Sequence, residues 1–363
     1  MLASVEINGF RTFRRLVVES LRRVNLFVGK NNTGKTSLLE ALELVTIAMP
    51  WGLWRSPLRR GEELYLVEED DRRSRGRDLD LSHLFFGHVL EGSSFTISAI
   101  DHPHRSVECR VMMAPKDEDS PVQEGLPGVE VLRQALAVRF HSNLMPAPIF
   151  VRLSPEGGLS QETRGRLLPA TQEEAAKVGF LRPETIDMRI LSQLWDRVVL
   201  TPEEDKVIEA LRIIEPRIER IASVEGRLGR KTIVLKLSDS DRRLPLGSAG
   251  DGLKRLLALS LNLIPLRGGG ALFVDEIDTG LHFSVMADMW RLVIETASRL
   301  DVRVFATTHS LDCVRALAWV REKLPTGQTD AVMLHRVEKG IDKTISYTMD
   351  EIETAARNHL EVR

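Results

Sequence analysis

Only two cysteines occur in 363 residues, Cys109 and Cys313, and their spacing matches neither a disulfide framework nor a thiolate metal site. An oxidising compartment is therefore not implied. No apolar run approaches the roughly 20 residues of a membrane span. The first residues meet Glu6 and Arg11 too early to form the apolar core of a secretory leader. These absences lead to the expectation of a cytoplasmic protein that engages no membrane. Sustained heptads are also missing, which excludes a long coiled coil, and there is no internal repeat or low-complexity tract. The chain has a formal net charge of −2 and is 43% hydrophobic, ample material for a buried core and more than one lobe.

What is present is concentrated in four short stretches that follow one another in order: GKNNTGKT at 29–36, GSAGDG at 247–252, LFVDEID at 272–278 and ATTHS at 306–310. The first fits G-x-x-x-x-G-K-[ST]. It follows the apolar run 24–28 and precedes the helix-like segment 37–44, the strand, loop and helix context in which this motif binds phosphate. Gly29 and Gly34 let backbone N–H groups turn onto phosphate oxygens at a helix N-terminus. Lys35 would reach the β- and γ-phosphates, and the Thr36 hydroxyl would ligate Mg²⁺.

The apolar run 271–274 has the length of a strand buried on both faces of a parallel sheet. Asp275 at its tip would hold Mg²⁺ through water, since magnesium keeps much of its hydration shell. Glu276 would polarise an attacking water. Taken alone, the same residues read as an acidic strand end facing solvent. A second apolar strand over 302–306 ends in Thr307, Thr308, His309 and Ser310. A lone histidine at a strand end is more often a satisfied surface or core residue than a catalytic one. Its position after the Asp275 strand and a helix over 282–300 makes His309 a candidate γ-phosphate sensor. The small-residue turn 245–252 opens an apolar helix over 253–263 and offers a hydroxyl and free N–H donors to an anion. By itself that stretch reads as an ordinary glycine-rich turn.

The middle of the chain has a different texture. Charge dominates 55–80, a pattern that reads as a solvated loop rather than a nucleic-acid patch. Segments 94–100 and 106–112 look like paired strands, with His102 and His104 in the turn between them; without a third ligand they read as turn residues. Apolar spacing over 183–221 is helical, with Thr201 as N-cap, Pro202 at the first helical position and Glu204 completing a capping box. Arg212, Arg217, Arg220, Arg227, Arg230 and Lys231 form a basic cluster diluted by Glu215, Glu219 and Glu225. It reads first as a solvated face and second as a partner or DNA contact. Trp51 and Trp54 join these arginines as expected exposed docking residues. Asp239 and Asp241 read as hairpin-turn chemistry.

The ordered set resembles the ABC class of P-loop ATPases, and within it the SMC-like and OLD-like heads rather than transporter subunits. The resemblance covers 1–50 and 230–320, and the opening Ile7-Asn8-Gly9-Phe10-Arg11-Thr12-Phe13 shares it. It implies that Gly29, Asn31, Asn32, Thr33, Gly34, Lys35, Thr36 and Ser37 form Walker A. Ser248 and Gly250 would be the signature, Asp275 and Glu276 Walker B, Asp278 the D-loop and His309 the switch histidine. Two departures stand out. Transporter heads carry a coupling glutamine after the first helix, whereas the first glutamine here is Gln123, and the acidic stretch 78–83 is a weak candidate for that role. The signature has Asp251 where glutamine or glutamate is usual. OLD-type nucleases carry a Toprim domain with a D-x-D pair beyond the switch histidine; no D-x-D follows His309 here.

The resemblance implies an α/β head with a mostly parallel core sheet, an antiparallel β lobe and an inserted helical lobe. The expected domains are 1–50 with 230–363 as the ATP-binding core, 51–155 as the β lobe and 156–229 as the helical lobe. ATP and Mg²⁺ are the implied cofactors. An ATP-dependent homodimer or larger even-numbered assembly is the implied self-partner, with a separately encoded effector such as a nuclease or toxin in prokaryotic DNA repair or anti-phage defence. A low-turnover ATP-clamped scaffold or a DNA-binding protein is the alternative. GTP is a weaker alternative to ATP, because N-K-x-D is missing.

Overall fold

Short apolar segments separated by amphipathic helices leave few options except a sheet covered on both faces, and that sheet forms here. The computed structural model describes residues 2–64, 78–100, 105–113, 136–145, 147–154, 157–168, 177–225, 231–325, 327–358 and 360–362. By contacts the chain divides into two units, 1–17 with 40–170 and 18–39 with 171–363.

The second unit is built on a six-stranded sheet in the order Val178–Leu181, Ala271–Val274, Arg303–Thr307, Val24–Val28, Val332–Arg336 and Ile345–Tyr347. The first five strands are parallel and the last is antiparallel. Val24–Val28 and Ala271–Val274 are buried at every residue, as central strands must be. Phe180, Phe273 and Phe305 share a register row, and their rings stack at 6.1 and 5.1 Å. The helices Asp251–Leu263, Phe283–Leu300, Leu311–Val320 and Met349–Arg357 bury their apolar faces in the same core, which includes Trp195 and Trp290. Thr348 and Glu351 close a capping box at the last of these helices. Among the described residues no helix is long and apolar enough to cross a membrane.

The first unit carries a six-stranded sheet in the order Phe13–Val18, Val5–Phe10, Ser94–Ala99, Ser106–Met113, Leu136–Ser142 and Ile149–Arg152. Four of its neighbouring pairs are antiparallel, including the expected pair Ser94–Ala99 and Ser106–Met113. Asp78–Asp80 is the middle strand of a separate three-stranded sheet. This unit also holds buried charge. Glu40 receives Arg11 at 2.7 Å and Arg60 at 2.8 Å, and Glu43 receives Arg55 at 2.7 Å and also Arg59. Burial pushes the Glu40 carboxyl up, but Arg11 and Arg60 overcome that and hold it below the ordinary carboxylate range.

Several expectations change. Residues 1–17 group with the antiparallel sheet rather than with the parallel one, because Val5–Phe10 is hydrogen-bonded along Ser94–Ala99. The expected helical lobe 156–229 is not a separate body: Val178–Leu181 is an edge strand of the parallel sheet, and the helices Met188–Asp196 and Glu203–Arg212 pack into its core. Residues 218–221, expected as helix, open a strand, Ile218–Glu225, paired with Lys231–Leu237. A register shift between Ile218 and Arg220 puts Ile218 and Ile221 on one buried face, so a bulge imitates the helical spacing of three. The N-cap of Glu203–Arg212 is Pro202 rather than Thr201; Thr201 accepts from Glu203 N, and Glu204 accepts from Leu200 N rather than closing a box on Thr201. Trp51 and Trp54 are buried, not exposed, with the Arg55 guanidinium over the Trp51 ring. Arg212 is spent on the Ile218 carbonyl and Arg217 on Glu215 and Asp239, which weakens the DNA-contact reading. His102, His104, Arg227, Arg230 and the charged run 65–77 lie outside the described residues.

His335 is wholly buried on the central sheet, 3.1 Å from the Ser346 hydroxyl and stacked on Phe27. Burial lowers its pKa to about 3, against an ordinary value near 6.5. The unfolded chain therefore binds a proton that the folded chain refuses. The stability from neutral His335 is complete above pH 6.5 and drains away as the pH falls toward 3. Urea unfolding should show about 3 kcal/mol more loss between pH 7 and pH 4 in the wild type than in His335→Asn. Equal losses in the two proteins would contradict this assignment.

Candidate functional site

The register of the parallel sheet decides which residues meet. Val274 is level with Ala306, and Ala306 with Leu26, so the three strands end within two residues of one another and their next residues emerge along one edge. Residues at the carboxyl ends of parallel strands are where such sheets build sites.

After Val28 the chain turns through Gly29 at φ 150°. A Cβ there would lie 2.4 Å from the Val337 carbonyl and 3.1 Å from the Thr33 hydroxyl, so no side chain fits. Gly34 also has positive φ, 92°, and its carbonyl accepts from Leu38 N at 2.8 Å in the first turn of the helix Lys35–Ile47. Asn31 and Asn32 are exposed, while Thr33 is half-buried and donates to the Lys30 carbonyl. Lys35 folds back over the loop, its Nζ donating to the carbonyls of Gly29 and Lys30 at 2.8 Å each. Ser37 is buried in the helix. The loop is a backbone cradle that a Cβ would fill, with a cation at its mouth, and that fits a nucleotide's phosphates.

Asp275 is only 8% exposed, and each of its carboxylate oxygens takes a hydroxyl. Thr36 donates to Oδ2 at 2.9 Å and Thr307 donates to Oδ1 at 2.6 Å. The Thr307 hydroxyl in turn accepts from Glu276 N at 2.9 Å. A hydroxyl beside a carboxylate is an oxygen donor set of the kind Mg²⁺ takes. Among the described residues no group of three or more His, Cys, Asp and Glu could hold a metal. Mg²⁺ held by Thr36 and Asp275 would draw its remaining ligands from water and phosphate.

Glu276 adopts φ 48°, a left-handed conformation that side-chain-bearing residues rarely take. Its carboxylate is partly exposed, accepts from the Thr279 hydroxyl at 3.1 Å, and lies 3.6 Å from His309 Nδ1. The structure thus brings Lys35, Thr36, Asp275, Glu276 and His309 to one edge. Asp278 turns inward and accepts from the Thr308 hydroxyl at 2.6 Å. Ser248 and Gly250 sit on an exposed turn before the helix Asp251–Leu263, Gly250 with φ 93°, and take no part in the hydrogen bonds joining Thr36, Asp275, Thr307 and Glu276.

Two residues were missed from sequence. One is Thr307; the signal was two hydroxyl residues at the tip of an otherwise apolar strand, where a buried hydroxyl needs a partner. The other is Arg255, buried within the helix Asp251–Leu263. Replacing Thr307 by the isosteric valine removes a donor from buried Asp275 and an acceptor from Glu276 N. Thr307→Val should lose about 1–3 kcal/mol of unfolding free energy in urea titration. An unchanged midpoint would show that the bridge contributes nothing.

The chain is similar to known proteins in sequence and in fold. The family described as "AAA domain, putative AbiEii toxin, Type IV TA system" matches residues 24–313. A protein of Helicobacter pylori (strain ATCC 700392 / 26695) named "ATP/GTP phosphatase" is 21% identical over 348 residues, 89% of each chain. A solved SMC head bound to the C-winged helix domain of ScpA aligns over 96% of this chain and 98% of that one, with a TM-score of 0.50 and 13% identity, a likeness of fold alone. The SMC head domain from Thermotoga maritima aligns over 96% and 98%, with a TM-score of 0.46 and 13% identity. The family match spans all of the strands that carry the cradle and both acidic residues, so the chain belongs to that family and is a P-loop ATPase with an SMC head-like fold.

Proposed function

We propose that this ATPase works as a nucleotide-gated homodimer whose opening and closing control a separately encoded effector in prokaryotic DNA repair or anti-phage defence. One observation carries the dimer: Lys35, Thr36, Asp275 and Glu276 gather at one sheet edge, while Ser248 and Gly250 stay exposed and outside their hydrogen-bond network. An exposed helix start with anion-binding character, outside that network, is suited to a nucleotide held by a second copy. Each nucleotide would then lie between Walker A and B of one copy and the signature of the other.

Within the site each residue has one task. The N–H groups of 29–37 and Lys35 bind the phosphates, and Asn31, Asn32 and Thr33 line the open side of the loop. Thr36 and Asp275 would hold Mg²⁺, which would supply neutralisation of developing phosphate charge. Glu276 takes a proton from the attacking water, and His309 beside it senses the γ-phosphate. Asp278, fixed by Thr308, shapes the turn that would face the second copy. Exposed Glu276 and His309 have room to move on closure.

The effector reading draws on neighbours. The solved SMC head in that complex holds a winged-helix domain of ScpA, and the matching family's description names a Type IV TA system; both favour a head that acts through another protein. The relative's name, ATP/GTP phosphatase, fits nucleotide turnover. Cys109 and Cys313 are buried and not disulfide-bonded, which favours a cytoplasmic setting.

Two measurements test this reading. Lys35→Ala should weaken ATP binding by about 10–150-fold through loss of charge-assisted hydrogen bonds. Glu276→Gln should retain binding and cut turnover by roughly 10²–10⁴-fold. Wild-type turnover in Glu276→Gln would remove it as the base. With ATP, Glu276→Gln should accumulate as a dimer or larger even-numbered assembly in light scattering, and adding Ser248→Arg should keep it monomeric with nucleotide still bound. A monomer with full activity would overturn the shared site.

A further inference from the structure

A buried arginine without a carboxylate partner is costly and calls for a reason. Arg255 is 1% exposed in the helix Asp251–Leu263, and its guanidinium is spent on backbone. Nη2 donates to the carbonyls of Asp275 at 2.8 Å and Glu276 at 2.7 Å, and Nε donates to that of Ile277 at 3.3 Å. Nη1 has no hydrogen-bond partner among the described residues, and the side chain lines a cavity of about 290 Å³ shared with Glu184, Lys254 and Thr279. Burial lowers its pKa to about 10, opposed by the charges of Asp278, Asp275, Glu276 and Glu184, so it is a cation at neutral pH.

The three carbonyls belong to the turn in which Glu276 adopts its left-handed backbone. Such a conformation persists only where the surroundings impose it. Thr307 holds the N–H side of Glu276, and Arg255 holds the carbonyl side. The same helix meets the far end of the turn closely. A Cβ on Gly252 would lie 3.1 Å from the Gly280 carbonyl, and one on Gly280 would lie 3.2 Å from the Asp251 Cβ. The helix that follows Ser248 and Gly250 is therefore attached at two places to the turn that carries Glu276.

We propose that Arg255 is a positioning residue that sets the Glu276 turn and ties it to the signature helix, so that a second copy seated on Ser248 and Gly250 is felt at Glu276 of the same chain. The inference rests on the reading of Glu276 as base and of Ser248 and Gly250 as the cap. In a dimer the signature of one chain covers the nucleotide of the other. Arg255 thus couples the cap of one composite site to the base of its neighbour, and hydrolysis at the two sites becomes cooperative.

The test compares wild type, Arg255→Met, which keeps the stem and loses the cation, and Arg255→Lys, which keeps the cation and loses the fork. The first readout needs no nucleotide: amide hydrogen exchange at Ile277, Thr279 and Leu281, whose N–H groups donate to the carbonyls of Thr307, Glu276 and Asp278. In Arg255→Met these amides should exchange at least about tenfold faster, while those of Val24–Val28 keep their wild-type rates. The second readout is kinetic: kcat should fall at least about tenfold and the Hill coefficient for ATP should drop toward 1, with ATP affinity within about threefold of wild type. Arg255→Lys should lie between on every measure, and it decides the matter if Arg255→Met does not fold. Unchanged exchange in the turn, exchange accelerated throughout the molecule, or turnover and cooperativity at wild-type levels would each overturn the proposal. Failure of the underlying reading shows elsewhere, as undiminished turnover in Glu276→Gln.

Discussion

Asp275 is nearly buried, and a buried carboxylate is tolerated only when its oxygens are satisfied. Both are satisfied by hydroxyls delivered from other segments, Thr36 from the start of the P-loop helix and Thr307 from the end of the neighbouring strand. Those hydroxyls arrive because three parallel strands end within two residues of one another, which the register from Val274 through Ala306 to Leu26 enforces. The phosphate cradle, the acidic pair and His309 all take their positions from that alignment. A slip of one residue would send alternate side chains to the opposite face and dismantle the set.

The same bridge reaches the chemistry. Thr307 accepts from the Glu276 backbone while it donates to Asp275, so the group proposed to hold metal and the group proposed to take a proton share one hydroxyl. From the other side Arg255 holds the carbonyls of the turn. Glu276 is thereby fixed in backbone yet partly exposed in side chain, a combination suited to a base that must be aimed and still reach water. His309 at 3.6 Å is close enough to respond to the same carboxylate.

How much of this could be read from sequence followed the distance over which each contact acts. The P-loop was legible because its geometry lies within eight consecutive residues and only glycine fits where Gly29 meets Val337. The parallel sheet was legible because short, wholly apolar strands have no other use. Thr307 was not, since a threonine at a strand end is common and its partner lies 32 positions away. Arg255 could have been found: the helix 251–263 is apolar on most faces, so an arginine there cannot reach water and must have acceptors inside. The strand Ile218–Glu225 was misread because a bulge gave its isoleucines helical spacing. Trp51 and Trp54 were misread because nothing local announces that Arg55 and the buried glutamates Glu40 and Glu43 draw that segment inward.

The central claim is that each active site is completed by a second copy, and mixing two inactive variants tests it most directly. Lys35→Ala is crippled in phosphate binding but keeps a sound signature; Ser248→Arg lacks the signature but keeps a sound P-loop. Combined in equal amounts, the two form mixed dimers that each contain one intact composite site, so turnover should reappear, at no more than about a quarter of the wild-type rate. Two inactive proteins that stay inactive when mixed would contradict the account.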